Sequence, residues 1–506
     1  MIIELDGNSL TVDKLVEIAR SNNKIKISRK NVKKIKKSSE FIERMIKEKK
    51  FIYGVNKGVG DLDNKSFDNK KIEDFQKYLI YSHSAGWGEP IAIDDMRSGL
   101  AVRVNVLSKG YSGVSDEVIH KMVELINKGI TPVACQKGSL GSSGDLAPLA
   151  QVGLVLMGEG EAFFQNKKIK TKNLFEKENI HPLKLKNRDA LSIINGSSLT
   201  AGVGSLEVYD ALRWLKTSEI AASMTMESLK SNKSIFDKRV HETKGFMGQI
   251  QSARNLQKIT KNSRNITDSD DVQDAYSIRG TPQVLGAVRD VIEHCKYIIE
   301  TEINSTADNP LFFPEDNEYL NCANFQGTSI AFALDSLAIA ITTASALSER
   351  RLNRLLNPKL NNDLPAFLID NSGFFSGMMI MQYTAASLVN ENKILSTPAS
   401  IGSIPVSGDK EDFVSMGMTS AIKMRQILDN SNAILAIELL ASAQALEFRK
   451  DSKFGEGVKE VYRFIRKYIK PLKKDRPLYE DIQRMTNLVK EGKILEIVEE
   501  KIGKMG

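Results

Sequence analysis

The densest chemistry in this sequence lies between Gly138 and Ala150, in the run Gly138-Ser139-Leu140-Gly141-Ser142-Ser143-Gly144-Asp145-Leu146-Ala147-Pro148-Leu149-Ala150. At its centre, Ser142-Ser143-Gly144 carries the atoms to build an electrophile out of backbone. In a tight loop the Gly144 amide nitrogen can attack the Ser142 carbonyl carbon, since a residue with no Cβ permits the close approach that ring closure demands. Loss of water from the ring and from the Ser143 side chain then leaves an exocyclic methylene conjugated with two carbonyl groups, a 4-methylidene-imidazol-5-one. No external cofactor is required. Read alone, a Ser-Ser-Gly triplet is also ordinary turn composition, so the choice rests on what the other candidate residues supply.

Those candidates are scattered. Tyr53-Gly54-Val55-Asn56-Lys57-Gly58-Val59-Gly60 looks at first like a phosphate loop, but it lacks the Gly-x-x-x-x-Gly-Lys-Ser/Thr spacing. Arg279, at the end of Gln273-Asp274-Ala275-Tyr276-Ser277-Ile278-Arg279, offers a planar fork suited to an amino acid's carboxylate, or else a surface ion pair. His83, in Tyr81-Ser82-His83-Ser84-Ala85-Gly86, reads either as a packed histidine or as a contact to a substrate ring. Glu411 lies within Ser407-Gly408-Asp409-Lys410-Glu411-Asp412-Phe413. A carboxylate can hold an imidazole through its N–H, whereas an apolar phenyl ring would leave a buried Glu without a partner. The five histidines show no His-Glu-x-x-His spacing and the cysteines no Cys-x-x-Cys pair, so no metal site is expected.

In this order, and from roughly residue 50 to 450, the motifs resemble the ammonia-lyases that act on histidine, phenylalanine and tyrosine. That family forms its methylidene-imidazolone from a triplet equivalent to Ser142-Ser143-Gly144. The resemblance implies that Tyr53 is the base that removes the substrate's β-hydrogen and that Arg279 clamps its carboxylate. It places Tyr276 and Asn195, the latter in Ile194-Asn195-Gly196-Ser197-Ser198, in hydrogen bonds near the ring. Phe325, in Asn324-Phe325-Gln326-Gly327, packs against ring or substrate, and Gln273 lines the pocket. His83 and Glu411 point to members acting on histidine, hence to elimination of ammonia from L-histidine to give trans-urocanate, the opening step of histidine degradation. The alternative is a tyrosine or phenylalanine lyase or aminomutase using the same group. Four positions depart from the usual pattern: Ser142 stands where Ala is usual, Lys57 where Thr is frequent, and Gln326 and Phe413 where the histidine enzymes commonly carry histidines.

The elements that would position these residues read as mostly helical. Ser115 is a suitable N-cap, Asp116 and Glu117 suit the positive end of a helix dipole, and Val118, Ile119, Met122, Val123 and Ile126 make an apolar stripe that Gly129 ends. The Gly138–Ala150 run follows that helix and a short extended segment from Ile130 to Cys135. Near the N-terminus, Ile2 to Leu5 and Ser9 to Thr11 predict a short hairpin around Asp6-Gly7-Asn8, before a helix begins near Thr11. Beyond about residue 200 long segments rich in Ala, Leu, Ile and Met dominate, without a fixed repeat. The expected fold is therefore mainly α: residues 1–200 form a smaller mixed region carrying the prosthetic-group loop, and residues 201–506 form a long-helix bundle with C-terminal helices. Segments apolar on nearly every side, Ile330 to Leu347 and Ala433 to Leu446, need partners on nearly every side. The resemblance implies a homotetramer with active sites shared between subunits.

Composition agrees with a large globular enzyme. Of 506 residues, 41% are hydrophobic and 26% charged, and the three cysteines, Cys135, Cys295 and Cys322, are too few and too dispersed for a disulfide framework. A reducing cytoplasm is the expected location, with no secretory signal at the N-terminus. Asp335, Glu438 and Gln444 interrupt the most apolar stretches, against a membrane span. A net charge of +8, with lysines gathered at Lys33, Lys34, Lys36 and Lys37 and at Lys470, Lys473 and Lys474, raises a nucleic-acid partner as the alternative class. Acidic residues are mixed throughout and few aromatics stand by for base stacking, so the lysines read as a solvated surface.

Overall fold

The computed structural model describes residues 2–268, 272–449 and 452–506. Among the described residues the chain forms 19 α-helices, and its strands make only two- and three-stranded sheets. It divides into two compact units, one of Met1–Tyr209, Cys295–Asp335 and Pro398–Ile422, the other of Asp210–His294, Ser336–Thr397 and Lys423–Gly506.

In the first unit the N-terminal segment departs from the hairpin its turn residues predict. Ile2–Leu5 pairs in parallel with Lys24–Ile27, with the helix Val12–Arg20 as the crossover. The local cause is the Asp6 carboxylate, whose Oδ1 accepts the N–H groups of Asn8 and Ser9 at 2.8 Å each. This Asx-type turn aims the chain at Thr11, which caps the helix by accepting from Lys14 N at 3.3 Å. Leu15 and Ile18 on that helix are then fully buried, and the helix packs against the helix Ile93–Leu107.

The helix Asp116–Lys128 ends at Gly129, which adopts the left-handed conformation at φ 70° and ψ 25°. Ser115 takes the N-cap position in extended backbone, but its side chain accepts no bond from the helix. Its hydroxyl donates to Asp189 Oδ2 at 3.0 Å and its N–H to Asp189 Oδ1 at 2.8 Å. The hydroxyl is turned toward the buried carboxylate, to which it gives a charge-assisted bond. Burial pushes the Asp189 carboxyl up to about 6, against those donors.

The apolar stretches predicted to be central helices lie in Thr328–Leu356 and Gly417–Glu447. In the second unit Glu438 does not expose its charge. It accepts from Arg351 Nε at 2.5 Å and Nη2 at 2.8 Å, from Ser348 Oγ at 2.5 Å and from Thr225 Oγ1 at 2.9 Å. A carboxylate with this many donors is satisfied inside a helical core. Gln444 likewise donates to the Leu368 and Leu472 carbonyls and accepts from Leu472 N. Among the described residues, Thr328–Leu356 is the helix long and apolar enough to cross a membrane, and most of its apolar stretch is buried in the fold.

Glu227, in the same unit, is less well served. Its carboxylate accepts from Gly455 N at 2.8 Å, while burial pushes its pKa from 4.5 up to about 8. A folded-state pKa above the unfolded one means stability that is full below about pH 4.5 and lost as pH rises through about 8. Glu227→Gln keeps the acceptor without the titration. Thermal melts should show the variant gaining on the wild type as pH rises from about 5 to about 8; a pH-independent difference contradicts the assignment.

Candidate active site

The Gly138–Ala150 run folds into a loop that few residues could follow. Ser143 and Leu146 have φ of 58° and 44°, and Gly144 has φ of 88°. Left-handed backbone at non-glycine residues costs on the order of 1–3 kcal/mol each, so the surroundings must impose it. They do so through backbone packed on backbone. A Cβ at Gly144 would lie 2.1 Å from the carbonyl carbon of Gly196, and a Cβ at Gly196 would lie 2.1 Å from the Ala307 oxygen. With no side chain between them, Gly196 N donates to Ser143 O and Asp145 N donates to Gly196 O, both at 2.9 Å. Asp145 then turns its buried carboxylate onto the first turn of the helix Ser198–Ser228. It accepts from Leu199 N at 2.7 Å, Thr200 N at 3.2 Å and Thr200 Oγ1 at 2.5 Å. Burial nevertheless raises its pKa to about 6.

The same bridge brings Asn195 beside Ser143. Ser143 Oγ donates to Asn195 Oδ1 at 2.5 Å, and Asn195 Nδ2 donates to Asp308 Oδ1 at 2.7 Å and to Asn309 O at 3.1 Å. Behind them Arg188 grips both Asp308 oxygens at 2.9 Å. Burial alone would raise the Asp308 pKa; the charge and hydrogen bonds of Arg188, with Arg103 nearby, outweigh it and hold the carboxyl below its ordinary value. Ser142 Oγ donates to Glu411 Oε2.

Tyr53 and Glu411 reach this place from two loops tied to each other. Ile52 and Val55, fully buried in a cluster with Phe41, Ile42 and Phe312, anchor the first loop. Asn56 stiffens it by accepting from Ile52 N at 2.8 Å and donating to Lys50 O at 2.9 Å. Paired N–H···O bonds between Val406 and Glu411, at 3.0 and 3.2 Å, form the second. Lys410 Nζ meets Asp63 Oδ2 at 3.2 Å, and Asp61 N donates to Ser407 Oγ at 3.3 Å, closing one loop on the other. Tyr53 oxygen accepts from Gly60 N at 2.9 Å. Burial raises the phenol's pKa, the Gly60 N–H opposes this, and the carboxylates of Glu411 and Asp63 add to the rise. Burial likewise pushes the Glu411 carboxyl up.

Tyr53, Ser143, Phe325 and Glu411 line one pocket of 440 Å³, together with Tyr319 and Cys322. His83, Gln273, Tyr276 and Arg279 are not among its lining residues. His83 closes the helix Ile72–His83, with Nδ1 2.9 Å from the Leu79 carbonyl, and burial lowers its pKa. That contact makes Nδ1 the donor and leaves Nε2 as the acceptor of a neutral ring. Gln273, Tyr276 and Arg279 belong to the second unit and do not line this pocket. Tyr276 is 80% exposed, and the Arg279 guanidinium lies 4.7 Å from its ring centre, a cation–π contact. Phe413, at one of the departures from the family pattern, is exposed, and its carbonyl accepts from Gln326 Nε2 at 3.3 Å. Sequence reasoning passed over Arg188, Asp308 and Asn309. Asp308-Asn309-Pro310 carried a turn signal, but nothing in the sequence joined it to Asn195.

Comparison with known proteins gives one picture. The family model described as aromatic amino acid lyase matches residues 10–467. The histidine ammonia-lyase of Caldanaerobacter subterraneus subsp. tengcongensis is 43% identical over 501 residues, covering 99% of this chain and 98% of that one. Among solved structures, the tyrosine aminomutase from Streptomyces globisporus superposes with a TM-score of 0.96 at 35% identity, over 99% of each chain. The histidine ammonia-lyase from Trypanosoma cruzi superposes at 0.92 and 35% identity, over 99% of this chain and 95% of that one.

The contact of Gly144 with Gly196 generates a direct test. Gly144→Ala places a methyl group against backbone that cannot yield and forces a left-handed alanine. It should cost about 3 kcal/mol or more in urea unfolding; an unchanged midpoint would show that the loop is not held this way.

Proposed function

This chain belongs to the aromatic amino acid lyase family, and we infer that within it the chain is an ammonia-lyase that eliminates ammonia from L-histidine to give trans-urocanate. The observation that carries the chemistry is the Gly144–Gly196 contact, with Ser143 left-handed and its hydroxyl held by Asn195. These residues fit a methylidene-imidazolone made from Ser142-Ser143-Gly144. The nitrogen that must close the ring belongs to a residue whose Cβ has no room, and the Ser143 side chain that must be dehydrated is held in place by Asn195. The group would supply an electrophilic carbon for the substrate's amine, making nitrogen a better leaving group.

The chain's own residues divide the remaining work. Tyr53 faces the same pocket as Ser143 and takes the β-proton. Its raised pKa keeps it protonated in the resting chain, so turnover should climb with pH through the alkaline range, and the Gly60 N–H is the donor that favours phenolate. Glu411 offers a carboxylate to an imidazole N–H, and the neutral His83 ring faces the same substrate. Arg279 clamps the carboxylate, with Tyr276 and Gln273 beside it. The exposure of Tyr276 and the distribution of the pocket lining support delivery of this segment to the site of a neighbouring copy, in a homotetramer with shared sites. The composition, with three cysteines dispersed along the chain, supports a cytoplasmic enzyme.

Likeness to a tyrosine aminomutase gives the second reading, in which tyrosine is rearranged rather than histidine deaminated. Incubation with each amino acid separates the two. Histidine should yield an absorbing conjugated acrylate, and Ser143→Ala should lose at least about a thousandfold in kcat. Glu411→Gln should cut kcat/KM for histidine by about a hundredfold, while leaving weak turnover of tyrosine within a few-fold. Tyrosine turnover with none of histidine would overturn the substrate assignment and leave the chemistry standing.

A further inference from the structure

The Asn195 side chain presents a carbonyl oxygen on one side and an NH2 on the other, and rotation about its last bond exchanges them. Ser143 cannot decide between the two, because a hydroxyl both donates and accepts. The decision comes from behind. Asp308 Oδ1 and the Asn309 carbonyl, at 2.7 and 3.1 Å from Asn195 Nδ2, are acceptors only. Each takes one amide hydrogen, and turning the amide over would set oxygen against oxygen. The Asp308 half of this preference holds only while Asp308 is ionised. Arg188 ensures it with a bidentate contact, the Arg188 and Asp308 side chains being 0% and 1% exposed.

We propose that the buried Arg188–Asp308 pair is a positioning device that keeps the Asn195 carbonyl oxygen turned toward Ser143, where it serves two successive hydrogen-bond donors. The first is the Ser143 hydroxyl, whose orientation it fixes before the dehydration. In the dehydration the Ser143 Cα–H and Cβ–Oγ bonds break, a Cα=Cβ double bond forms, and the proton and hydroxide depart together as water. The second is the amino group of an α-amino acid. With the serine oxygen gone, Asn195 Oδ1 has an unused lone pair beside the Ser143 β-carbon, and the incoming nitrogen brings N–H groups to it. An NH2 in that place would repel an ammonium and offer an amine no acceptor. This inference rests on the reading that Ser143 becomes the electrophile. Arg188 and Asp308 touch neither substrate nor reacting atoms and act through Asn195.

A double-mutant cycle on the purified full chain tests it, comparing wild type, Asp308→Asn, Asn195→Ala and the double variant. Two quantities are read: the fraction of chains lighter by two waters in intact mass, and kcat/KM for histidine per dehydrated chain. Asparagine at 308 can present either end of its amide, which leaves the Asn309 carbonyl as the one remaining acceptor opposing a turned Asn195. Asp308→Asn should lower the dehydrated fraction and reduce kcat/KM about tenfold or more with Asn195 present, yet by less than about twofold once Asn195 is alanine. Equal factors in both backgrounds would overturn the proposal and leave the pair a structural role. Because Asp308→Asn leaves the Arg188 charge buried without its partner, Arg188→Met with Asp308→Leu is run beside it to remove both charges together. The same pattern is expected there. Wild-type values in that variant, or loss of the folded state in every variant of the pair, would also overturn the proposal. A wild-type chain at full, undehydrated mass would instead overturn the reading of Ser143 itself.

Discussion

Gly144 and Gly196 meet backbone to backbone, with no room for a side chain on either, and the chemistry of this protein hangs on that contact. It fixes the Ser143 carbonyl and the Asp145 N–H on the two faces of Gly196. Asp145 is thereby placed to cap the helix Ser198–Ser228, and Asn195, one residue before Gly196, is placed against the Ser143 hydroxyl. Strain at Ser143 and Leu146 persists because these bonds over-determine the loop. A loop held by neighbouring side chains alone would relax; one held by main chain on main chain cannot.

Charge around the site follows from who faces each carboxylate. Asp308 meets a guanidinium and stays below the usual range despite full burial. Asp145 is as deeply buried but bonded mainly to neutral N–H and O–H donors, and it is raised to about 6. Glu411 is raised by burial, and Tyr53 is pushed upward by burial and then by the two carboxylates beyond it. The carboxyl behind Asn195 is thus held below its ordinary range, while Glu411 and Tyr53, which line the pocket, are pushed above theirs.

The helical architecture was legible in the sequence because long apolar segments at helical period have few other solutions. So was the loop, since Gly-Ser punctuation after a capped helix announces irregular backbone. Tyr53, Ser143, Phe325 and Glu411, read from separate motifs, line one pocket. Local signals failed where a distant partner outbid them. Ser115 took the N-cap position but turned its hydroxyl to Asp189, and Ile2–Leu5 paired with Lys24–Ile27 instead of folding back on its neighbours. The Arg188–Asp308–Asn195 chain was illegible for the same reason: its hydrogen bonds join segments more than a hundred residues apart, and no spacing rule records them.

The central claim is that Ser142, Ser143 and Gly144 become one ring. Fragmenting the peptide that spans residues 142–144 in a mass spectrometer, from chain purified without any added cofactor, tests it most directly. The account predicts a segment two waters lighter than the sequence, with no backbone cleavage between Ser142 and Gly144. A segment of unaltered mass that fragments at each of those bonds would contradict it.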